Sequence, residues 1–237
     1  MNLKKTLVAA MGAAILAAPL VAAPVLSSTA EAAGEQFFPL IIYRTGPYAV
    51  GGIPLANGYG DYLKLLNARD GGINGVKIKF EECETQYNTK VGIECYEKLK
   101  NKNGGALVVS PYSTGLTYQL IPKAPVDKAV ILSMGYGRTA AADGRVFPWV
   151  FNFPSTYWSQ ASAFVAYVGQ QEGGLANLKG KHIAHVHHNS AYGKEANPTL
   201  DALSKKFGFK LTKLAVDHPG QEQKATWLQI RRKRPDW

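Results

Sequence analysis

The chain has 237 residues, of which 46% are hydrophobic and 19% are charged, and its formal net charge is +10. This hydrophobic content is enough for a folded core, and beyond the amino-terminal segment no apolar run is long enough to cross a bilayer. A basic balance of this size is also found in nucleic-acid-binding proteins, but the export predicted below argues against nucleic acid as a partner.

The amino-terminal segment has the pattern of a secretory signal peptide. Two lysines precede a long run rich in Ala, Leu and Val, and this run closes at Ala30-Glu31-Ala32, an A-x-A cleavage pattern. A membrane anchor is the alternative, but two prolines and the abundance of Ala argue against it. We therefore expect residues 1–32 to be removed and the product to be soluble and periplasmic.

Past this segment, apolar runs of strand length alternate with amphipathic runs of helical period. Strands are predicted at 38–43, 76–84, 106–110, 129–134, 147–153, 181–188 and 209–217. Helices are predicted at 53–69, 89–101, 114–124, 155–171, 199–208 and 225–234. This alternation indicates βαβ units and parallel sheets, arranged in two successive series. The sequence therefore predicts an α/β fold with two lobes.

Cys83 and Cys95 are the two cysteines of the chain. In an oxidising compartment they favour a disulfide, although two buried free thiols are the alternative. A metal site is the weakest option, because no histidines stand at ligand spacing beside them. We expect no metal and no cofactor.

The stretch VVSPYSTGLTYQL places hydroxyl groups and glycine where a predicted strand gives way to a helix. Ser110, Ser113, Thr114 and Gly115 lie at this strand end. In open α/β sheets ligands bind at such ends, where helix amino-termini offer unpaired N–H groups. Ordinary helix capping by Ser and Thr is the alternative.

Several patterns bear on catalysis. The five histidines do not stand at a metalloprotease spacing, and four of them crowd one predicted strand: His182, His185, His187, His188 and, later in the chain, His218. The chain also lacks G-x-G-x-x-G after its first strand and any G-x-S-x-G elbow. We predict that the protein is not an enzyme and has no catalytic residues.

Four segments together resemble the type I periplasmic solute-binding proteins of the branched-chain amino acid (Leu/Ile/Val) class, the receptors of ABC importers. They are RTGPYAVGG with ANGYGDYLKLLNARDGGINGVKI behind it, VVSPYSTG, HHNSAYGKE, and PGQEQKATWLQIRRKRPDW. The resemblance covers residues 36–237, and the order and spacing of these segments are specific.

The resemblance implies two Rossmann-like lobes, at 35–150 and 151–237, that trap a ligand by closing. It also implies a longer chain, so the sequence is expected to be a fragment with an incomplete second lobe. The implied partners are a small-molecule ligand and an ABC permease in the inner membrane, with the protein itself a monomer. A periplasmic sensing module for a membrane receptor is the alternative function, since fold and site would be shared; a hydrolytic enzyme is the less favoured alternative.

The resemblance also assigns ligand-binding residues in the first lobe. Ser113 and Thr114 match the segment that grips the ligand carboxylate. The segment GYGRT matches the next gripping loop, where the family has small residues before Ser or Thr. Here Tyr136, Gly137 and Arg138 stand instead, which puts an aliphatic amino acid in doubt. Arg138 is expected to pair with a carboxylate, and Tyr136 to stack on a planar ligand; a surface arginine and a packed tyrosine are the alternatives.

In the second lobe, Tyr192 matches a tyrosine that faces the cleft. Gln221 or Glu222 matches the position of an acid that receives the ligand ammonium; Gln221 there would favour an amide or non-amino ligand. Three residues are expected as aromatic walls or, alternatively, as core residues: Tyr48, Tyr157 and Trp158.

Overall fold

The computed structural model describes residues 34–133 and 137–237. The predicted signal peptide and Tyr136 lie outside these residues. The described residues all belong to a single compact unit. Within the described ranges, no helix is both long and apolar enough to span a bilayer.

The described residues contain seven strands, all of which pair in parallel. They are β1 (Gln36–Ile42), β2 (Ile78–Glu84), β3 (Val108–Val109), β4 (Val130–Ser133), β5 (Val150–Asn152), β6 (His182–His188) and β7 (Lys210–Val216). Each overlaps a predicted strand, and the apolar run of β1 suits a strand that is covered on both faces.

Eight α-helices follow these strands in the described ranges. They are α1 (Ala49–Arg69), α2 (Thr89–Leu99), α3 (Thr114–Leu120), α4 (Ala124–Asp127), α5 (Tyr157–Gln171), α6 (Ala191–Lys194), α7 (Asn197–Phe207) and α8 (Lys224–Lys233). The break between α3 and α4 contains Pro122, which ends a helix because it lacks an N–H and clashes with the preceding turn. Two helical segments lie where loops were expected: the first turn of α1 and the whole of α6.

The first five strands form one sheet in two blocks. β1 pairs with β2, and β4 pairs with both β3 and β5. An isolated parallel bridge between Phe37 and Ala106 joins the blocks, so the order is β2-β1-β3-β4-β5. The strand that follows β1 in sequence, β2, lies on one side of β1, whereas β3 and the strands after it lie on the other side. This reversal makes the carboxyl ends of β1 and β3 the position where open α/β sheets bind ligands.

The remaining strands, β6 and β7, form a second sheet, which continues at the last residues of the chain. The N–H of Asp236 donates to the carbonyl of His182 at 2.7 Å, and the N–H of Ala184 donates to the carbonyl of Trp237 at 2.8 Å. These residues therefore extend along β6 on the side away from β7.

Three apolar clusters hold these layers together. One packs α2 and α3 against the first sheet around Ile41, Val109 and Leu120. Another packs α1 on that sheet around Leu40. The third packs α5 and α7 on β6 around Val165. Together they form the α/β architecture that the sequence predicts.

The predicted disulfide is confirmed. Cys83 on β2 and Cys95 on α2 are bonded, with Cα atoms 5.7 Å apart. The bond ties the helix to the edge strand of the first sheet. The division into lobes at residue 150 stays a prediction, and β5 spans that position.

Candidate functional site

A cavity of about 480 Å³ opens where the carboxyl ends of β1, β3 and β6 converge. Nearly half of its lining is aromatic side chains that carry a hydroxyl: Tyr43, Tyr48, Tyr87, Tyr112, Tyr157 and Tyr192. The rest is apolar or small and polar: Pro47, Val50, Gly51, Leu55, Ser113, Thr114 and His188. We call this space the aromatic cavity.

One side of the cavity is built by the segment between β1 and α1. Gly52, in the first turn of α1, is buried, and a Cβ there would lie 1.9 Å from the carbonyl oxygen of Tyr43. Only glycine allows the helix to approach the strand end so closely. This approach places Tyr48, the residue before α1, beside the end of β1.

The segment between β3 and α3 completes that side. Ser113 caps α3, because its Oγ accepts a hydrogen bond from the N–H of Leu116 at 3.3 Å. Thr114, which is 2% exposed, places its Oγ1 3.3 Å from the hydroxyl of Tyr157 and accepts from the N–H of Gly137 at 3.3 Å. The loop between β3 and α3 therefore caps a helix and also lines the cavity, so the two interpretations of its hydroxyls do not exclude each other.

The other side is built by the segment after β6. Ser190 caps the short helix α6 through the N–H of Gly193. A Cβ on Gly193 would lie 2.0 Å from the carbonyl oxygen of His188, so glycine again allows a helix start to lie against a strand end. This packing fixes the position of Tyr192, whose ring centroid lies 5.5 Å from that of Tyr157.

Tyr48 contacts the two histidines across the cavity. Its Oη lies 3.0 Å from Nε2 of His188 and 2.8 Å from Nδ1 of His218, although these residues are 140 and 170 positions away in sequence. Burial lowers the pKa of His188, the charge of His218 lowers it further, and Asp217 opposes the shift. The neutral imidazole is thus favoured at this position.

A second contact joins the same two parts of the chain. The N–H of Thr139 donates to the carboxylate of Glu195 at 2.9 Å, and the indole N–H of Trp158 donates to the carbonyl of Glu195 at 3.0 Å. Burial raises the pKa of Glu195. Trp158 therefore packs beside α6 and does not form a wall of the aromatic cavity.

The electrostatic character of the cavity is neutral. Burial raises the pKa of Tyr87 to about 12 and also raises the pKa of Tyr112, so both hydroxyls keep their protons at neutral pH. Among the described residues, no Arg, Lys, Asp or Glu lines this cavity. The lining offers aromatic faces and neutral hydroxyls to an occupant.

The predicted site residues divide into two groups. Five line the aromatic cavity: Tyr48, Ser113, Thr114, Tyr157 and Tyr192. Gly137 is buried directly behind Thr114. The guanidinium of Arg138 lies over the ring of Phe147 at 5.1 Å, and Gln221 and Glu222 are exposed in the loop after β7. Whether any of them binds a ligand stays a prediction.

Sequence reasoning missed several lining residues. Tyr43 and Tyr87 follow the ends of β1 and β2, a position that signals a site in parallel sheets. His188 ends β6 in the same way, but the spacing of the histidines by itself bears on catalysis and not on a binding site. Nothing local to His218 shows that it meets Tyr48, because that contact depends on how the two sheets are placed.

A larger depression of about 570 Å³ lies beside β5 and the start of α5, lined by residues such as Phe147, Phe151 and Ser159. It receives no side chain from the ends of β1, β3 or β6. The aromatic cavity is therefore the candidate site.

The chain belongs to the periplasmic binding protein family, whose model matches residues 35–237. The arrangement of the sheets agrees with the type I periplasmic binding protein fold.

Several solved structures are similar to this chain. An ABC transporter permease from the Pseudomonas fluorescens group is 47% identical, with a TM-score of 0.75, and the match covers 86% of this chain and 49% of that chain. A branched-chain amino acid ABC transporter from Thermus thermophilus with bound valine is 20% identical, with a TM-score of 0.71, covering 84% of this chain and 51% of that one.

A solute-binding protein of an ABC transporter from Rhodopseudomonas palustris, in complex with benzoate, is 18% identical, with a TM-score of 0.69, covering 86% of this chain and 54% of that one. The last two likenesses show the fold alone. The chain spans about half the length of these structures. No curated protein matches it.

Proposed function

We propose that this chain is the solute-binding component of an ABC importer. It is exported, works as a periplasmic monomer, and captures a small carboxylate, amide or aromatic solute, or a related amino acid, by closing two lobes around it. The observation that carries this proposal is the aromatic cavity, lined from both the first sheet and the second. Its volume of about 480 Å³ lies within the range of small-molecule sites, roughly 300–1,000 Å³.

The lining favours a planar solute over a zwitterionic amino acid. Tyrosine rings stack on planar groups, and their hydroxyls hydrogen-bond to polar substituents. The hydroxyl of Ser113 stands at a helix amino-terminus, where the N–H groups and the dipole favour an anionic group. A ligand ammonium would meet no carboxylate among the described lining residues, and an unpaired buried charge is costly.

Matched structures support both ligand types. One binds valine and another binds benzoate, so this fold accommodates an amino acid or an aromatic acid. The choice between them in this chain therefore depends on its own lining, which favours the aromatic acid.

A thermal-shift panel tests the proposal. Benzoate, 3,4-dihydroxybenzoate, benzamide, valine and leucine are added to the purified chain at pH 7.5. A solute at about 100 times its Kd stabilises by about 2.7 kcal/mol, which raises the Tm of a chain of this size by roughly 5–10 °C. We expect this shift for an aromatic acid. A shift with valine or leucine alone would overturn the ligand class, and no shift with any solute would oppose the binding role.

The variant Arg138→Ala refines the panel. The sequence predicts that this guanidinium pairs with a ligand carboxylate, whereas in the structure it lies over Phe147. Weaker binding of benzoate with unchanged binding of benzamide would support the pairing. Equal affinity of the variant and the wild type would remove Arg138 from the site.

A further inference from the structure

Tyr48, His188 and His218 occupy the junction between the two sheets. Tyr48 precedes α1, His188 ends β6, and His218 lies in the loop after β7. The three residues lie between the aromatic cavity and a neighbouring cavity of about 360 Å³, which is lined by His188 and His218 among others. The contact therefore links the part of the chain carrying the first sheet to the part carrying the second.

The loop that carries His218 is held against His188. The N–H of Gly220 donates to the carbonyl of Asp217 at 2.7 Å, and the side-chain amide of Gln223 donates to the carbonyl of Gly220 at 2.7 Å. A Cβ on Gly220 would lie 3.5 Å from Cδ2 of His188. The two imidazoles are thus fixed relative to each other, with ring centroids 5.8 Å apart.

The hydrogen-bonding capacity of the three groups restricts their protonation states. The Tyr48 hydroxyl has one proton, so it donates to one imidazole nitrogen and accepts from the other. Nδ1 of His188 is buried and has no hydrogen-bond partner among the described residues. The arrangement without an unmet donor places the His188 proton on Nε2, which donates to Tyr48, and Tyr48 in turn donates to the bare Nδ1 of His218.

Adding a proton breaks this chain of donors. Protonation of His188 places an N–H on its buried Nδ1, where no described acceptor receives it. Protonation of His218 makes its Nδ1 a donor, so Tyr48 must donate to Nε2 of His188, and the His188 proton again moves to Nδ1. If His188 keeps the proton on Nε2 instead, the Tyr48 hydroxyl proton loses its acceptor. Every protonated state therefore leaves an unmet donor.

The surrounding groups favour the neutral state. Burial lowers the pKa of His188. The positively charged forms of His218, in the β7–α8 loop, and of His187, next to it on β6, lower this pKa further, and Asp217 opposes them. Among the described residues, the other ring contacts of this group are with tyrosines: Tyr192 lies beside His188, and Tyr87 lies beside Tyr48. Burial raises the pKa of Tyr48, so its hydroxyl keeps its proton.

We infer that Tyr48, His188 and His218 form a latch that holds the two sides of the aromatic cavity together when both imidazoles are neutral and releases them when either is protonated. The inference rests on the proposed function, in which the cavity closes around a solute. Tyr48 is a positioning residue in this device. The latch operates with no solute bound.

The test measures a distance across the cavity without solute. Nitroxide labels are attached through Lys64→Cys on α1 and Lys205→Cys on α7, both exposed positions; the native cysteines are joined in the disulfide. Electron paramagnetic resonance then gives the distance distribution at pH 8 and pH 5. We expect the ratio of long to short distances to rise at least about tenfold at pH 5, as for a buried charged donor that is left without an acceptor.

Variants separate the latch from a general effect of acid. Tyr48→Phe should give, at both pH values, the distribution that the wild type has at pH 5. His187→Gln, which removes a neighbouring imidazole that does not touch Tyr48, should keep the pH response. A wild-type distribution that is the same at pH 8 and pH 5, or a Tyr48→Phe variant that keeps the response, would overturn the latch.

A second measurement covers the case in which Tyr48→Phe does not fold. ¹⁵N spectra of the histidine rings of the wild type at pH 8 should show the His188 proton on Nε2 and an unprotonated Nδ1 on His218. The opposite tautomers would overturn the latch. Since neither measurement uses a solute, failure of the solute panel and failure of the latch are distinguishable.

Discussion

The two sides of the aromatic cavity differ in how their polar groups are satisfied. On the first side, the hydroxyls of Ser113 and Thr114 are hydrogen-bonded to the backbone, and Thr114 is almost fully buried. On the second side, Tyr192 is 48% exposed and Nδ1 of His188 is buried without a described partner. The first side is thus preformed, whereas the second carries groups that titrate. We therefore expect side-chain changes at Ser113 and Thr114 to alter stability at any pH, whereas the histidines of β6 should make stability depend on pH.

The largest effect is expected at the two glycines that hold the helix starts against the strands. Gly52→Ala on the first side and Gly193→Ala on the second each place a Cβ about 2 Å from a backbone oxygen. Each should lower the free energy of unfolding by at least about 3 kcal/mol in urea denaturation.

Gly58 is the matched control for these variants. It lies in α1 with open space around its Cα, so Gly58→Ala should stabilise the chain by about 0.5–1 kcal/mol. Equal effects of Gly58→Ala and Gly193→Ala would show that close approach does not fix α6.

The next largest effect is a loss of stability at acidic pH that arises in the second sheet. Burial lowers the pKa of His185 on β6 to about 4, and the charges of His187 and Lys213 add to the shift. Since the pKa is depressed in the folded state, its contribution is fully present above about pH 6.5 and is lost as the pH falls toward 4. About 2–3 kcal/mol of stability should be lost over this window.

The variant His185→Gln tests this expectation. Its free energy of unfolding should vary less between pH 6.5 and pH 4 than that of the wild type, as measured by urea denaturation at several pH values. Parallel curves for the two proteins would contradict a role for His185 in the acid sensitivity of the second sheet.

A smaller effect is expected from Thr114→Val on the first side. The isosteric change removes the oxygen that accepts from the N–H of Gly137 and leaves that donor buried, which should cost about 1–2 kcal/mol. Thr45→Val, at an exposed turn position, should change stability by less than about 0.5 kcal/mol. Similar losses of stability in the two variants would show that the buried hydrogen bond of Thr114 contributes no more than an exposed threonine does.

The smallest losses of stability are expected at the helix caps on the two sides of the cavity. Ser113→Ala removes the cap of α3 and should cost about 1 kcal/mol. Ser190→Ala removes a longer hydrogen bond, 3.4 Å, at the four-residue helix α6, and should cost about 0.5 kcal/mol or less. A larger loss of stability for Ser190→Ala than for Ser113→Ala would contradict the view that the first side is the preformed one. Thermal unfolding of both variants measures the difference.

The sequence predicts the first side of the cavity better than the second. Hydroxyls at the end of a short apolar run point to Ser113 and Thr114, because strand ends and helix starts are local patterns. The disulfide between Cys83 and Cys95 also follows from composition and compartment. The strands and most helices follow from periodicity, whereas α6 is too short to show one.

The contacts across the cavity could not be predicted in this way. The contact between Tyr48 and His218 joins residues 170 positions apart, and no local pattern encodes it. Likewise, the predicted role of Gln221 or Glu222 rests on their order in the sequence, and that order does not show that His218, in the same loop, contacts Tyr48. Long-range geometry therefore decides which side chains meet.

In the proposed function, one solute contacts both sides of the aromatic cavity. Isothermal titration calorimetry of the best solute from the panel, against the wild type, Thr114→Val and Tyr192→Ala, tests it most directly. We expect both variants to bind at least about tenfold more weakly, since each removes a contact from a different side. Wild-type affinity in either variant would show that the solute does not lie between the two sides.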